Sequence, residues 1–152
     1  MVLYSTQNLD VMLANCFREI NPSFLAIDRT FNLGKVFVTV TSIKNTSVVN
    51  HAVGHPIIIG SMLLHGDATS EVYGTFLHLM LSGFSFEFAK NVIIGCGDAK
   101  SIRKAIRKII SHATYTLCTR HLRENFDNNL KNITGVNQIV RSVIKCLVLL
   151  VW

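Results

Sequence analysis

The residues of this 152-residue chain that could do chemistry fall into three sets. The first is a pair of carboxylates, Asp28 and Asp98. Asp28 closes the apolar run Phe24-Leu25-Ala26-Ile27, where a carboxylate is costly unless it is paired or holds a cation. Asp98 stands just past a second apolar run, Val92-Ile93-Ile94-Gly95. If both runs are strands and lie side by side, their ends bring two acids together, as a site for Mg²⁺ requires. Such ions activate water and stabilise the leaving oxygen in phosphodiester chemistry. The plainer readings are a helix N-cap for Asp98 and a carboxylate paired with Arg29 or solvent for Asp28. The second set is Cys118 and His121, whose thiolate and imidazole can share one Zn²⁺ but make only half of a tetrahedral site. Without an ion, Cys118 is a buried strand residue and His121 a helix-start residue. The third set is cationic: Arg103, Lys104, Arg107 and Lys108, followed by Arg120 and Arg123. It suits phosphates without sequence preference, or else forms a solubilising outer face.

The elements that must position these groups can be read from periodicity. Leu13 to Ile20 predicts a short helix ended by Asn21-Pro22. Phe24 to Asp28 predicts a buried strand, and Asn32-Leu33-Gly34 a turn. Val36 to Ile43 is dense in β-branched residues and predicts the second arm of a hairpin, with Val36, Val38, Val40 and Ser42 on one face. Pro56 to Leu64 is a third strand. From Thr69 the period becomes helical through Val72, Phe76, Leu79 and Met80, with Thr69 or Ser70 able to cap the start and Gly83 ending the helix. Val92 to Gly95 predicts a strand, Ala99 to Ile110 a helix with Ile102, Ile106 and Ile109/Ile110 opposite the cations, Tyr115 to Cys118 a strand, and His121 to Ile133 a helix. Three strands followed by strand–helix crossovers predict an α/β fold: a mixed sheet, part antiparallel meander and part βαβ, with helices packed on it.

Composition narrows the classes. With 49% hydrophobic and 16% charged residues the chain is neither disordered nor low in complexity. No internal repeat or Pro/Gly/Ser-rich linker interrupts it, so a single domain over 1–152 is expected. No apolar run reaches the ~18–20 residues that span a bilayer, and Met1 to Ile20 meets Asp10 before any basic residue, unlike a secretory leader. The expectation is an intracellular protein with no membrane partner. Cysteines 16, 96, 118 and 146 form no C-x-x-C pair, which predicts reduced thiols. The net charge of +6 is lopsided: residues 1–89 carry four Lys/Arg against six acids, residues 90–152 eleven against three. That asymmetry suits a polyanion partner. Histidines 51, 55 and 65 surround the third strand and are expected to be solvated, while Glu71 is a first-turn acid favoured by the helix dipole.

Three stretches taken in order resemble a known family: Ala26-Ile27-Asp28-Arg29-Thr30-Phe31 through His55-Pro56, then Ile94-Gly95-Cys96-Gly97-Asp98-Ala99-Lys100 to Ile106, then Cys118-Thr119-Arg120-His121-Leu122-Arg123-Glu124-Asn125. Together they resemble the Mutator-like (MULE) transposase domain over about residues 20–137. That family belongs to the DDE transposases, and the resemblance implies a ribonuclease-H-like fold, DNA as partner, no small-molecule substrate, and nuclear location in a eukaryote. It implies that Asp28 is the first catalytic aspartate. The second falls in a Thr-Asp-Gly-Glu-like block, which here reads Cys96-Gly97-Asp98-Ala99, so the catalytic position falls on Gly97 with Asp98 one residue along. One residue displaces a carboxylate by ~3–4 Å. The family's third acid, a glutamate, follows its Cys-x-x-His block at a distance beyond Trp152, and Glu124 belongs to that block. The implied cofactor is Mg²⁺ or Mn²⁺, with Zn²⁺ at Cys118 and His121. The expectation is a C-terminally truncated transposase whose catalytic set is incomplete and which is inactive as it stands.

Two alternatives remain beside it. One is a non-catalytic DNA-binding module that uses the basic helix. The other is an S-adenosylmethionine-binding methyltransferase-like domain, because Gly95-Cys96-Gly97 is a strand-to-turn G-x-G that lets a cofactor approach the backbone. That motif usually carries an acid where this chain has Ile93, and usually opens the βαβ series. Residues 138–152 form an atypical, almost wholly apolar tail from Ile139 onward, shorter than a membrane span.

Overall fold

A computed structural model describes residues 1–52, 54–82, 92–97, 99–117, 128–129, 137–140 and 142–143, with side chains for all of these except 30–32. The chain forms two compact units, Met1–Leu117 and Cys118–Trp152. In the second, the described residues are short helical pieces, one opened by Asn137, whose Oδ1 accepts from the Val140 amide at 2.9 Å. The strand and helix expected over 115–133 lie mostly outside the described residues from 118 onward.

The first unit runs β1 (Val2–Tyr4), α1 (Thr6–Cys16), β2 (Leu25–Leu33), β3 (Val36–Lys44), β4 (Ile57–His65), α2 (Ser70–Leu81), β5 (Ile93–Cys96), α3 (Lys100–Ile109) and β6 (Thr114–Leu117). Its six strands form one mixed sheet in the order β1-β4-β3-β2-β5-β6. The β2–β3, β3–β4 and β1–β4 pairs are antiparallel, whereas β5 runs parallel to both β2 and β6. The meander and the two crossovers expected from periodicity are therefore present, with one extra edge strand.

Register explains the core. Leu25 pairs with Ile43 and Ile94, Ile27 with Thr41 and Cys96, and Thr39 with Leu63, so these side chains share one face. Leu25, Ile27, Ile43, Leu63, Ile94 and Cys96 join the helix stripes Met12-Leu13-Cys16, Tyr73-Phe76-Leu77-Met80-Leu81 and Ile102-Ala105-Ile106 in one cluster. Those stripes recur every three to four residues, as an amphipathic helix requires. Polar positions on the buried face are satisfied across strands: the Thr41 and Ser61 hydroxyls bond at 2.6 Å, and the Ser61 amide donates to Thr41 Oγ1 at 3.0 Å. Two glycines permit close approach. A Cβ at Gly60 would strike the Met12 side chain of α1, and one at Gly95 would strike the Phe24 ring.

The start of the chain differs from expectation. β1 is only three residues long, too short to show a period. The first helix spans Thr6–Cys16 and not Leu13–Ile20. The Phe17 amide closes the last helical turn onto the Leu13 carbonyl at 3.0 Å, after which the chain folds back: the Ser23 amide donates to the Asn15 carbonyl at 2.8 Å, and Asn21 takes a left-handed φ of 52°. Asn21-Pro22 therefore follows a turn and does not itself end the helix. Thr69 caps α2 as expected, its side chain accepting from the Val72 amide at 3.4 Å.

Candidate functional site

Asp28 owes its place to unequal strand lengths. β2 pairs with β3 along its whole length, but with β5 only over Leu25–Ile27, whose partners are Ile94–Cys96. Asp28 is the next residue, opposite Val40 and partly buried. The strand does not end there, as the apolar run suggested. It continues to Leu33 as a two-stranded extension with β3, where the Arg29 guanidinium lies over the Phe37 ring at 5.0 Å. The Asp28 carboxylate thus stands at the step where the sheet loses β5, one position past Cys96. Gly97 follows directly, and α3 leaves at Lys100. Asp98 lies outside the described residues.

The end of β5 is tied down by sulfur. The Cys96 thiol donates to the Gly97 carbonyl at 2.9 Å and meets the Tyr115 hydroxyl at 2.7 Å. Because the carbonyl can only accept, the thiol proton points to it and the phenol donates to sulfur. Burial, followed by the hydrogen bond and charge of Cys96, raises the Tyr115 phenol above its ordinary range, while Arg103 and Arg107 pull it down. Tyr115 is held neutral and acts as an anchor, not a nucleophile.

α3 carries the densest charge in the unit. At 100° per residue its cations occupy one continuous face opposite Ile102, Ala105 and Ile106. Arg103 and Arg107 form the edge whose charge reaches Tyr115 of β6. Lys104 and Lys108 form the other edge, facing α2 across a groove of about 430 Å³ lined also by Ser70, Glu71, Gly74, Thr75, His78 and Ile109. The Glu71 carboxyl is held below its ordinary value by its own backbone amide, then by the Ser70 hydroxyl, with the Lys104 charge a smaller contribution.

The structure thus places Arg103, Lys104, Arg107 and Lys108 on one helix face and Asp28 at the β2–β5 step. Cys118, Arg120, His121 and Arg123 lie outside the described residues. Among the described residues no three His, Cys, Asp or Glu side chains gather as a metal site, and no described helix is long and apolar enough to cross a membrane. His51 is exposed and His55 Nδ1 donates to the Val48 carbonyl at 2.8 Å. His65 departs from the expected solvation. It is the last residue of β4 and points inward, buried between Phe37 and Tyr73 at ring distances of 5.6 and 5.1 Å. Its Nδ1 donates to the Asp67 carbonyl at 2.8 Å, and its Nε2 shares a hydrogen bond of 2.9 Å with Thr39 Oγ1. No family model, curated protein or solved structure matches this chain.

The α2–α3 groove escaped sequence reading, although Glu71, Gly74, Thr75 and His78 recur at the helical period on the polar side of α2. The link from Cys96 to Tyr115 left no sequence signal, since partners 19 residues apart in neighbouring parallel strands are set by register alone.

Proposed function

We propose that this chain is a ribonuclease-H-like core of Mutator-like DDE transposase descent that binds DNA through α3 and, with these residues, does not cleave it. The observation that carries the reading is the position of Asp28 in the sheet. Within the order β4-β3-β2-β5-β6, the central strand β2 presents Asp28 at the tip of its parallel neighbour β5, from which the cationic helix departs. The antiparallel half followed by a parallel half is the arrangement that the resemblance implies, and Asp28 falls where it implies the first catalytic aspartate. Mg²⁺ or Mn²⁺ held by Asp28 and Asp98 would activate water and stabilise the leaving oxygen. Gly97 stands where the resemblance implies the second acid, and a carboxylate one residue along falls ~3–4 Å away. Cys118 and His121 would supply the Zn²⁺ pair and Arg120 and Arg123 further phosphate contacts, in a nuclear protein if the source is a eukaryote.

For the methyltransferase alternative, the missing side chain at Gly95, one of the two glycines of its G-x-G, makes room for the Phe24 ring. The non-catalytic binding module is contained in the proposal. The test pairs two assays on the whole chain with Mg²⁺ and Mn²⁺: relaxation of supercoiled plasmid and retention of a labelled duplex. Retention without nicking is expected. Metal-dependent nicking that Asp28→Asn abolishes would overturn the inactivity, and absence of retention at low salt would overturn the DNA-binding reading.

A further inference from the structure

Gly74 has no structural explanation within the described fold. It is the one glycine inside a described helix, in the middle of α2. A glycine there weakens the helix relative to alanine by leaving the backbone extra freedom when unfolded. Close packing does not require it, because a Cβ at Gly74 would meet no heavy atom within 4 Å. Gly60 and Gly95 are different, since a Cβ at either would strike a neighbouring side chain. The space that Gly74 leaves open is the groove between α2 and α3. A helix backbone stripped of its side chain at a groove floor allows something outside the chain to approach closely.

The chemistry of the groove says what that is. Lys104 and Lys108 line one wall, one helical turn apart, with Lys100 one turn before them on the same side of α3. Ser70, Thr75 and His78 add hydroxyl and imidazole groups from α2, and Glu71 is the only acid among the described lining residues. Lysines repeating at one-turn intervals along ~12 Å of helix suit a linear chain of evenly spaced single negative charges. Hydroxyls and an imidazole beside them suit phosphate and sugar oxygens. We propose that the sugar–phosphate backbone of DNA seats in the α2–α3 groove against Gly74, gripped by Lys104 and Lys108, and that Arg103 and Arg107 stand outside the groove, on the β6 edge of the same helix face, where they meet flanking phosphates. The proposal rests on the DNA-binding reading above and adds to it where on the protein the backbone runs.

The test measures duplex binding by fluorescence anisotropy for the whole chain across a salt series, with thermal unfolding of each variant. Gly74→Leu fills the groove with a better helix former, so its unfolding midpoint is expected to hold or rise while affinity falls about tenfold. Lys104→Gln with Lys108→Gln is expected to make the slope of log affinity against log salt shallower by about 2. Glu71→Gln removes a negative charge from the lining and is expected to tighten binding. If Gly74→Leu and the lysine pair bind like the parent while Arg103→Gln with Arg107→Gln loses binding, the groove assignment is wrong and the DNA-binding reading stands. If the parent does not bind duplex at low salt, both fail. An acidic protein as occupant would show as polyglutamate displacing the duplex as well as unlabelled DNA does at equal charge, which also overturns the assignment.

Discussion

Replacing Arg103, Lys104, Arg107 and Lys108 together with glutamine should remove most of the salt dependence of DNA binding. The magnitude follows from helix geometry. Lys100 to Lys108 spans eight residues, or ~12 Å of axis at 1.5 Å per residue. One strand of B-DNA places a phosphate every ~3.4 Å of axis, so α3 can neutralise about four of them. Each neutralised phosphate contributes about −0.9 to the slope of log affinity against log salt, giving about −3.6 for the helix. Between 50 and 200 mM salt that is roughly a 150-fold loss of affinity. The quadruple variant keeps Lys100 and should lose only about threefold to fourfold over the same range. Fluorescence anisotropy of a labelled duplex measures both. A parent slope shallower than about −1, or a variant slope equal to the parent's, would refute the assignment of α3 as the phosphate-contacting face.

Four further outcomes are expected. Gly95→Val should expel the Phe24 ring from β5 and cost about 1–3 kcal/mol by chemical denaturation, and Phe24→Ala in the same chain should recover part of that loss; additive losses would contradict the contact. Burial pushes the Cys16 thiol up to about 12, so it should resist iodoacetamide at pH 8 until the chain is unfolded, as peptide mapping can show. Because the folded value lies above the unfolded value near 9.0, the stability contributed by neutral Cys16 is complete below pH 9 and is lost as pH rises toward 12; Cys16→Ala should flatten that decline, and an unchanged decline would assign it elsewhere. Thr69→Ala should cost about 1 kcal/mol by removing the α2 cap, and a neutral result would mean that water serves the Val72 amide equally well.

The parts of the fold legible in the sequence were those with long, unbroken periods. The β-branched run after Gly34, the Val72-Phe76-Leu79-Met80 stripe and the cation-against-isoleucine pattern of α3 each specify an element without help from the rest of the chain, but only α3 its whole buried face: in β3 the core takes Thr39, Thr41 and Ile43 and leaves Val36 exposed, and in α2 Leu79 is exposed. The start of the chain was not legible for the opposite reason. β1 is three residues paired to β4, and α1 buries little beyond Met12, Leu13 and Cys16 after a polar first turn, so tertiary contact with β4 and Gly60 decides where it lies. Asp28 was legible as a costly carboxylate beside an apolar run, but its position at the β2–β5 step depends on how far β5 reaches, which only pairing reveals. His65 read as a loop residue because strand β4 was expected to stop at Leu64. One more residue of ladder turns the ring inward, where Thr39 and the Asp67 carbonyl satisfy it.

Transposase descent requires Asp28 to share a site with the residues that follow β5. Mn²⁺ added to isotope-labelled Gly97→Asp protein, followed by amide line broadening, tests this most directly. Broadening centred on residue 28 and residues 97–98, much stronger than in the parent chain and abolished by Asp28→Asn, is the predicted result. Broadening centred elsewhere, or equal in parent and variant, would contradict the shared site and with it the transposase descent.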